Sequence, residues 1–192
     1  MIFFVLHGFA SATPNDKSNH FESIFPKDTV VNLNYDFDPD IGKNQLFDQI
    51  DAVLSHYKDP ELTFVGTSLG GFYAQFLAYT YGAKAIAINP AVVPSNTLTQ
   101  YVGKNKNFST GKEFDFTLDM ARKYSAMDIN PGLVPTLVLL DMGDDVIDAA
   151  ETVKHFAGKA SIKTYEGGSH RFDHLVSATP CIVEVANDII YY

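Results

Sequence analysis

Short runs of apolar and β-branched residues alternate along this chain with longer amphipathic segments. Several of the runs are continuously apolar, as expected of strands that are covered on both faces of a sheet. The runs predict strands at Ile2–Leu6, Thr29–Asn34, Leu62–Val65, Lys84–Ile88, Thr136–Leu140 and Ser161–Tyr165. The segments between them predict helices at Ser18–Phe25, Lys43–Tyr57, Leu69–Tyr81, Phe114–Tyr124, Asp148–Phe156 and Leu175–Ile190. This order predicts an α/β fold, with a mainly parallel sheet and helices on both of its faces.

The chain is long enough for one domain with a sizeable core, because it has 192 residues and 46% of them are hydrophobic. We therefore expect residues 1–192 to form a single domain. One part departs from the alternation, because residues from about 94 to 134 separate two strands by far more than a crossover needs. We expect an irregular, cap-like insertion there, over the carboxyl ends of the strands. A surface insertion without a role in catalysis explains the same residues equally well.

The charge of the chain argues against two classes of partner. Its formal net charge is -9 and it has no basic run, so we expect no nucleic-acid binding, which needs clustered Lys and Arg. An acidic surface also repels anionic membranes. The apolar start, MIFFVLHGF, is too short for a signal peptide or a bilayer span, so we expect no membrane span and a cytoplasmic location. The single cysteine, Cys181, excludes an intramolecular disulfide and metal sites built on paired cysteines.

Residues 66–70 read Gly-Thr-Ser-Leu-Gly, the pattern G-x-S-x-G, and lie between a predicted strand and a predicted helix. In a nucleophile elbow, this sharp turn forces the serine into a strained backbone conformation and raises its hydroxyl above the sheet. Gly66 and Gly70 suit the two positions where side chains would clash. The amides that begin the following helix favour negative charge at Ser68. The pattern therefore predicts Ser68 as a nucleophile, and a purely structural turn is the competing interpretation.

A serine nucleophile needs a general base, and the chain has 6 histidines. His170 lies in the loop after the last predicted strand, so we expect it at the same edge of the sheet as Ser68. The other histidines have a simpler structural explanation or no supporting context: His7, His20, His56, His155 and His174. His170 is therefore the candidate base.

The carboxylate that orients the base is expected in the segment LLDMGDDVIDAAE, which follows the strand before that of His170. Asp148 is expected at the start of the next helix, where a carboxylate has a structural role. Asp141 is nearly within the strand, and Asp144 and Asp145 lie at the loop tip. The four acids all stay candidates, and any of them gives the chain order Ser, Asp, His that α/β-hydrolases have.

The segment LHGFASA, which ends the first strand, is the candidate for one half of an oxyanion hole. In this geometry one donor is the amide of the residue after the nucleophile, Leu69, and the other comes from a loop after an early strand, near Phe9 or Ala10. Gly8 allows that backbone to approach the reacting carbonyl.

The motifs LHGFASA, FVGTSLGGFYA, NPAVVP, MGDDVID and EGGSHRF together resemble the α/β-hydrolase superfamily. More narrowly, NPAVVP and the short length resemble the small, nearly cap-less esterases of the YqiA type, and the resemblance covers nearly the whole chain. It implies an α/β-hydrolase fold with a minimal cap, and a serine esterase or thioesterase that hydrolyses carboxyl esters or acyl thioesters. It also implies Ser68 as nucleophile, His170 as base and Asp144 as acid, with Asp145 as the alternative acid.

The resemblance implies a small-molecule ester or acyl thioester as the partner, with no metal and no organic cofactor. It leaves open the natural substrate, the acyl-chain length and the oligomeric state. A non-catalytic hydrolase-fold protein that binds a ligand is one alternative, and another serine-dependent enzyme, such as a peptidase, lipase or acyltransferase, is the second. Lys17 and Arg171 are candidates to contact an anionic leaving portion, such as that of a coenzyme A ester, and surface charge is their simpler explanation.

Overall fold

The computed structural model describes residues 1–187 of the chain. Its strands are β1 (Ile2–Leu6), β2 (Thr29–Leu33), β3 (Leu62–Thr67), β4 (Lys84–Ile88), β5 (Gly103–Lys106), β6 (Glu113–Phe116), β7 (Thr136–Asp141) and β8 (Ser161–Tyr165). Its helices are α1 (Asp16–Ile24), α2 (Pro39–Leu54), α3 (Leu69–Tyr81), α4 (Pro94–Thr97), α5 (Leu118–Lys123), α6 (Ala149–Phe156) and α7 (Leu175–Ala186). Short 3₁₀ turns follow α4 and α5, at Leu98–Tyr101 and Tyr124–Met127. The end of the predicted helix Leu175–Ile190 lies outside the described residues.

All six predicted strands are confirmed, with ends that differ by at most two residues from the prediction. They form one sheet in the order β2-β1-β3-β4-β7-β8, and every neighbouring pair is parallel. All six strands therefore end at the same edge of the sheet, which is where ligands bind in open α/β folds. The loops after β1, β3, β4, β7 and β8 meet at this carboxyl edge.

The two faces of the sheet are covered by different helices, as the apolar runs predict. In β1, Phe4 and Leu6 point to the layer that contains α2 and α3, while Phe3 and Val5 point to the layer that contains α1 and α7. All four of these side chains are at most 1% exposed. Burying an aliphatic or aromatic side chain of this size contributes roughly 1.5–3 kcal/mol. Within residues 1–187, no helix has both the length and the apolar character needed to cross a bilayer.

The segment between β4 and β7 contains an antiparallel hairpin, formed by β5 and β6, that the sequence did not predict. The predicted helix Phe114–Tyr124 is wrong at its start, because Phe114 and Phe116 belong to β6 and the helix begins at Leu118. Thr117 caps that helix by accepting a hydrogen bond from the amide of Met120 at 3.2 Å. Contacts from distant parts of the chain explain the difference, because the Phe114 ring stacks on Phe37 with centroids 3.7 Å apart.

Candidate active site

Ser68 stands alone between β3 and α3, in a backbone conformation that L-residues rarely adopt (φ 57°, ψ -120°). Such a conformation costs roughly 1–3 kcal/mol and persists only where the surroundings impose it. Here the amide of Ser68 donates to the carbonyl of Ile88 at 2.9 Å. Its carbonyl accepts from the amides of Gly71 at 2.9 Å and Ala91 at 3.0 Å. Hydrogen bonds to the end of β4 and to the segment after it therefore hold the turn.

The glycines around Ser68 lie where the backbone leaves no room for a side chain. A Cβ atom on Gly66 would lie 2.0 Å from the carbonyl oxygen of Gly70, and one on Gly70 would lie 2.5 Å from that of His7. A Cβ atom on Gly71 would lie 2.9 Å from the Cβ of Pro90, which follows β4. Gly71 thus lets helix α3 pack closely on the neighbouring loop, while the other two make the turn itself possible.

His170 and Asp144 form a hydrogen-bonded pair at the carboxyl edge. The Nδ1 atom of His170 lies 2.8 Å from Oδ2 and 3.0 Å from Oδ1 of Asp144. Because a carboxylate only accepts, this contact assigns the proton to Nδ1 and leaves Nε2 as a free acceptor in the neutral ring. The imidazole is 22% exposed and the carboxylate side chain 2% exposed. The pair therefore leaves one basic nitrogen, Nε2, without a hydrogen-bond partner among residues 1–187.

The carboxylate of Asp144 is held by the backbone of its own loop. Its Oδ1 atom accepts hydrogen bonds from the amides of Val146 at 2.8 Å and Ile147 at 2.9 Å. Among residues 1–187, the one hydrogen-bond partner of the Asp145 carboxylate is the backbone amide of His170, at 3.4 Å. Asp148 caps α6, because its carboxylate accepts from the first amides of that helix. Of these acids, Asp144 is the one that touches the imidazole of His170.

A second pair of this kind, which sequence reasoning missed, lies beside the first. The Nδ1 atom of His174 lies 2.7 Å from Oδ1 of Asp141, whose carboxylate is fully buried. The other oxygen of Asp141 accepts from the amides of Ser169 at 3.2 Å and Asp173 at 2.7 Å. This carboxylate therefore fixes the backbone on both sides of His170. A charged residue at the end of the apolar run TLVLLD was the available sequence signal.

Asn89, directly after β4, connects the loop that contains His170 to the turn that contains Ser68. Its side chain accepts from the amide of Asp141 at 2.9 Å and donates to the carbonyls of Ser169 at 3.0 Å and His170 at 3.3 Å. Asn89 is 1% exposed, and the preceding residue supplies the carbonyl to which the Ser68 amide donates. The end of β4 thus holds both the Ser68 turn and the His170 loop, so the fold brings these two segments together.

The loop after β1 lies against Ser68. A Cβ atom on Gly8 would be 3.4 Å from the Cβ and 3.9 Å from the Oγ of Ser68. Among the hydrogen bonds of residues 1–187, none uses the backbone amide of Phe9 or of Leu69 as a donor. Ala10 has a positive φ of 54°, which is uncommon for a residue with a side chain. The amide of Phe9, in the loop after β1, and the amide of Leu69, directly after Ser68, are therefore both available as donors.

His7 and Lys17 have internal partners. Burial lowers the pKa of His7 to about 4, so its imidazole is neutral at pH 7 and stacks on Tyr35 with ring centroids 4.1 Å apart. Its Nδ1 atom donates to the carbonyl of Gly8 at 2.8 Å. The ammonium of Lys17 pairs with Asp16 and donates to the carbonyl of Arg171. Neither group is free to act on a ligand, which removes Lys17 as a contact for an anionic leaving group.

The described part of the chain, residues 1–187, contains no group of three or more His, Cys, Asp or Glu side chains arranged to hold a metal ion. The reactive groups at the carboxyl edge of the sheet are a hydroxyl, an imidazole, carboxylates and backbone amides. Those groups are the components of acyl transfer through a serine nucleophile.

Solved structures with the same fold come from several organisms. Est1E from Butyrivibrio proteoclasticus, with ferulic acid bound, superposes with a TM-score of 0.76 at 14% identity, over 97% of this chain and 88% of that one. Mouse alpha/beta hydrolase domain-containing protein 10 gives a TM-score of 0.67 at 13% identity, over 99% and 90% of the two chains. These similarities confirm the predicted α/β-hydrolase fold.

Sequence relatives cover more than nine-tenths of the chain. A UPF0227 protein of Vibrio parahaemolyticus is 24% identical over 183 residues, which is 95% of this chain and 97% of the relative. Another, from Shewanella woodyi, is 25% identical over 178 residues, or 92% and 94% of the two chains. Residues 1–187 match the family described as "Uncharacterised protein family (UPF0227)". The chain therefore belongs to the UPF0227 family, as its YqiA-type motifs predicted.

Proposed function

We propose that this protein is a serine hydrolase that cleaves carboxyl esters or acyl thioesters through an acyl-enzyme formed on Ser68. One observation carries the proposal: a strained serine and a histidine paired with a buried carboxylate are tied to the end of the same strand, β4. The amide of Ser68 bonds to Ile88, and Asn89 bonds to the carbonyl of His170 at 3.3 Å. Strain of this kind concentrates at functional sites.

The proposed mechanism has two acyl-transfer steps. His170, through Nε2, takes the proton of Ser68 as Oγ attacks the substrate carbonyl, and the resulting oxyanion binds the amides of Phe9 and Leu69. The carbon–oxygen or carbon–sulfur bond to the leaving group breaks, and His170 returns the proton to that group. Water then attacks the acyl-enzyme in the same way and releases the acid. Asp144 keeps the proton on Nδ1 and stabilises the imidazolium that forms transiently.

The structural neighbours support a small-molecule ester as substrate. One of them holds ferulic acid, and another is the esterase domain of a protein from Rhodothermus marinus.

A non-catalytic binding protein is the competing function, but it gives no reason for a strained serine or for a buried acid on the histidine. A peptidase, lipase or acyltransferase would use the same residues, so substrate panels distinguish these reactions once the nucleophile is established.

The test is covalent labelling with a fluorophosphonate probe, followed by mass-spectrometric mapping of the modified peptide. We expect stoichiometric attachment at Ser68 in the wild type and none in Ser68→Ala. Hydrolysis of p-nitrophenyl acetate should fall by about 10³-fold or more in that variant. Ser23→Ala, on the exposed side of α1, is the matched control. Equal hydrolysis by the wild type and Ser68→Ala would contradict the proposal.

A further inference from the structure

The turn that joins β5 and β6, residues 107–112, touches the loop after β1. This turn is called the hairpin tip below. The amide of Phe108 donates to the carbonyl of Ala10 at 2.7 Å, and Nδ2 of Asn107 donates to the carbonyl of Ser11 at 2.8 Å. The hydroxyls of Ser109 and Ser11 lie 3.2 Å apart. Three hydrogen bonds therefore connect the hairpin to a loop about a hundred residues earlier in the chain.

Both ends of the Asn107 side chain are used. Its Oδ1 atom accepts from the amides of Ser109 at 2.9 Å and Thr110 at 2.8 Å, which shapes the turn. Its backbone completes the hairpin by donating to the carbonyl of Lys112 at 2.8 Å. The Nδ2 atom is left to reach across to Ser11. The side chain of Asn107 thus both fixes the conformation of the hairpin tip and binds the loop after β1.

The loop that receives these bonds has a conformation that needs support. Ala10 has a φ of 54°, and two successive carbonyls, of Ala10 and Ser11, accept from the hairpin tip. The ring of Phe9 also packs on the hairpin, with its centroid 5.8 Å from that of Phe114 and 5.0 Å from that of Phe116. The hairpin therefore contacts the loop through the Phe9 ring and through the two carbonyls that follow it.

The side chain of Phe108, in the hairpin tip, contributes little packing. Phe108 is 87% exposed, so the tip is held in place by hydrogen bonds rather than by burial of its apolar residue. A hydrogen bond is directional, and it constrains the orientation of a peptide group more tightly than apolar contact does. The contacts of Asn107 and Phe108 are therefore suited to fixing the orientation of the peptide groups in this loop.

We propose that Asn107 is a positioning residue. It holds the Phe9–Ser11 loop so that the backbone amide of Phe9 can bind the oxyanion. The proposal rests on the function proposed above. It assigns a role in catalysis to the hairpin, although the hairpin supplies no group that touches the reacting atoms. Removing one oxyanion donor lowers kcat by about 10²–10³-fold, and a displacement of about 1 Å costs up to 10²-fold.

The test compares Asn107→Asp with Asn105→Asp. The first variant keeps an oxygen for the amides of Ser109 and Thr110 but can no longer donate to Ser11. Asn105 is the matched control, because its Nδ2 atom donates to the carbonyls of Tyr101 at 2.7 Å and Gly103 at 3.0 Å, within the same inserted segment. The measurements are kcat and KM on p-nitrophenyl acetate and the inhibition constant of an arylboronic acid, whose tetrahedral adduct places an oxygen in the oxyanion hole.

We expect Asn107→Asp to lower kcat by about 10–100-fold with KM changed less than about twofold, and to weaken the boronate by a similar factor. Asn105→Asp should retain wild-type values. Equal kcat for the two variants, with hydrolysis still dependent on Ser68, overturns this inference and leaves the proposed function standing. Hydrolysis that does not depend on Ser68 overturns both. If Asn107→Asp does not fold, Asn107→Ser decides in the same way, because its hydroxyl can shape the turn but does not reach Ser11.

Discussion

The imidazole of His170 donates from Nδ1 to the carboxylate of Asp144, 2.8 Å away, while the carboxylate of Asp145 accepts from the backbone amide of His170. Two adjacent carboxylates in one loop thus have different partners. Asp144 is also the more enclosed of the two, with its side chain 2% exposed. If the protein is a serine hydrolase, only Asp144 can fix the tautomer of the base.

Asp144→Asn should lower kcat by about 10⁴-fold, because an asparagine here presents the wrong group to the imidazole. Its oxygen would accept from the amides of Val146 and Ile147, as Oδ1 of Asp144 does now. The amide nitrogen would then face Nδ1 of His170 and move the imidazole proton to Nε2. That tautomer cannot take a proton from Ser68. The kinetics of p-nitrophenyl acetate hydrolysis measure this loss.

Asp145→Asn is the matched control, since it makes the same chemical change at the next residue. It should retain activity within about threefold, as is usual for an exposed substitution. Circular dichroism establishes that both variants are folded. A larger loss from Asp145→Asn than from Asp144→Asn would show that the acid is assigned to the wrong residue.

Asp141→Ala should act mainly on stability and cost about 2–4 kcal/mol of unfolding free energy. The buried Asp141 carboxylate accepts from two backbone amides and from His174, and an alanine would leave all three donors without this acceptor. Asp144→Asn keeps its backbone acceptor and should lose less stability. Urea denaturation of the two variants measures the difference.

His174→Gln separates the contributions within that pair. The imidazole is 32% exposed, so its loss should cost less than about 1 kcal/mol, while Asp141 keeps its backbone amides. If His174→Gln were as damaging as Asp141→Ala, the stability would come from the hydrogen bond between His174 and Asp141, and the loop would not depend on the backbone bonds.

The sheet could be predicted from the sequence because its strands must be buried on both faces, which restricts runs such as IFFVL to apolar residues. The loops after these strands could be predicted to meet, since parallel strands end at one edge. The choice of Asp144 over Asp145 came from the resemblance to α/β-hydrolases and not from spacing, because adjacent residues in a loop point in directions that only the folded backbone decides. Asn89 was missed for a similar reason, and Asp141 was named only as a candidate acid: the partners of both include backbone groups of the His170 loop.

The hairpin of β5 and β6 could not be predicted, because contacts with distant segments of the chain stabilise it. β5 reads GKNK, which has neither the alternation nor the β-branched residues of a strand. β6 reads EFDF, and its two phenylalanines also fit the spacing of the helix that follows. Phe9 and Phe37, far earlier in the chain, decide between the two structures by packing on those rings.

Gly66→Ala should destabilise the protein by at least about 3 kcal/mol, or prevent folding, because the new methyl group would lie 2.0 Å from a backbone oxygen. Backbone of a tight turn cannot move aside as a flexible side chain can. Thermal denaturation measures the effect. Gly8→Ala is the control, because its methyl group would be at an ordinary distance of 3.4 Å from its nearest neighbours.

We expect Gly8→Ala to fold with a thermal midpoint close to that of the wild type, but to hydrolyse p-nitrophenyl acetate about tenfold more slowly. Its methyl group would lie 3.9 Å from the Oγ of Ser68, next to the loop whose Phe9 amide is proposed to bind the oxyanion. Comparable melting of Gly66→Ala and wild type would show that the turn is looser than these distances indicate.

His7 should make the protein less stable as the pH falls from 6.5 towards 4. Burial lowers the pKa of His7 from its ordinary value of 6.5 to about 4, so between these values the unfolded chain binds the proton more readily than the folded protein does. The contribution is complete above pH 6.5 and is lost as the pH approaches 4. The difference between the two pKa values corresponds to about 3 kcal/mol.

The pH dependence of His7 can be isolated by comparison with His7→Asn, because all other titrating groups are shared. The asparagine Nδ2 atom can replace Nδ1 as the donor to the carbonyl of Gly8, and it does not titrate. Urea denaturation of both proteins at intervals from pH 7 to pH 4 gives the unfolding free energy of each. The wild type should lose about 3 kcal/mol more than the variant over this range. A difference between the two proteins that stays constant with pH would mean that His7 is protonated as easily in the folded protein as in the unfolded chain.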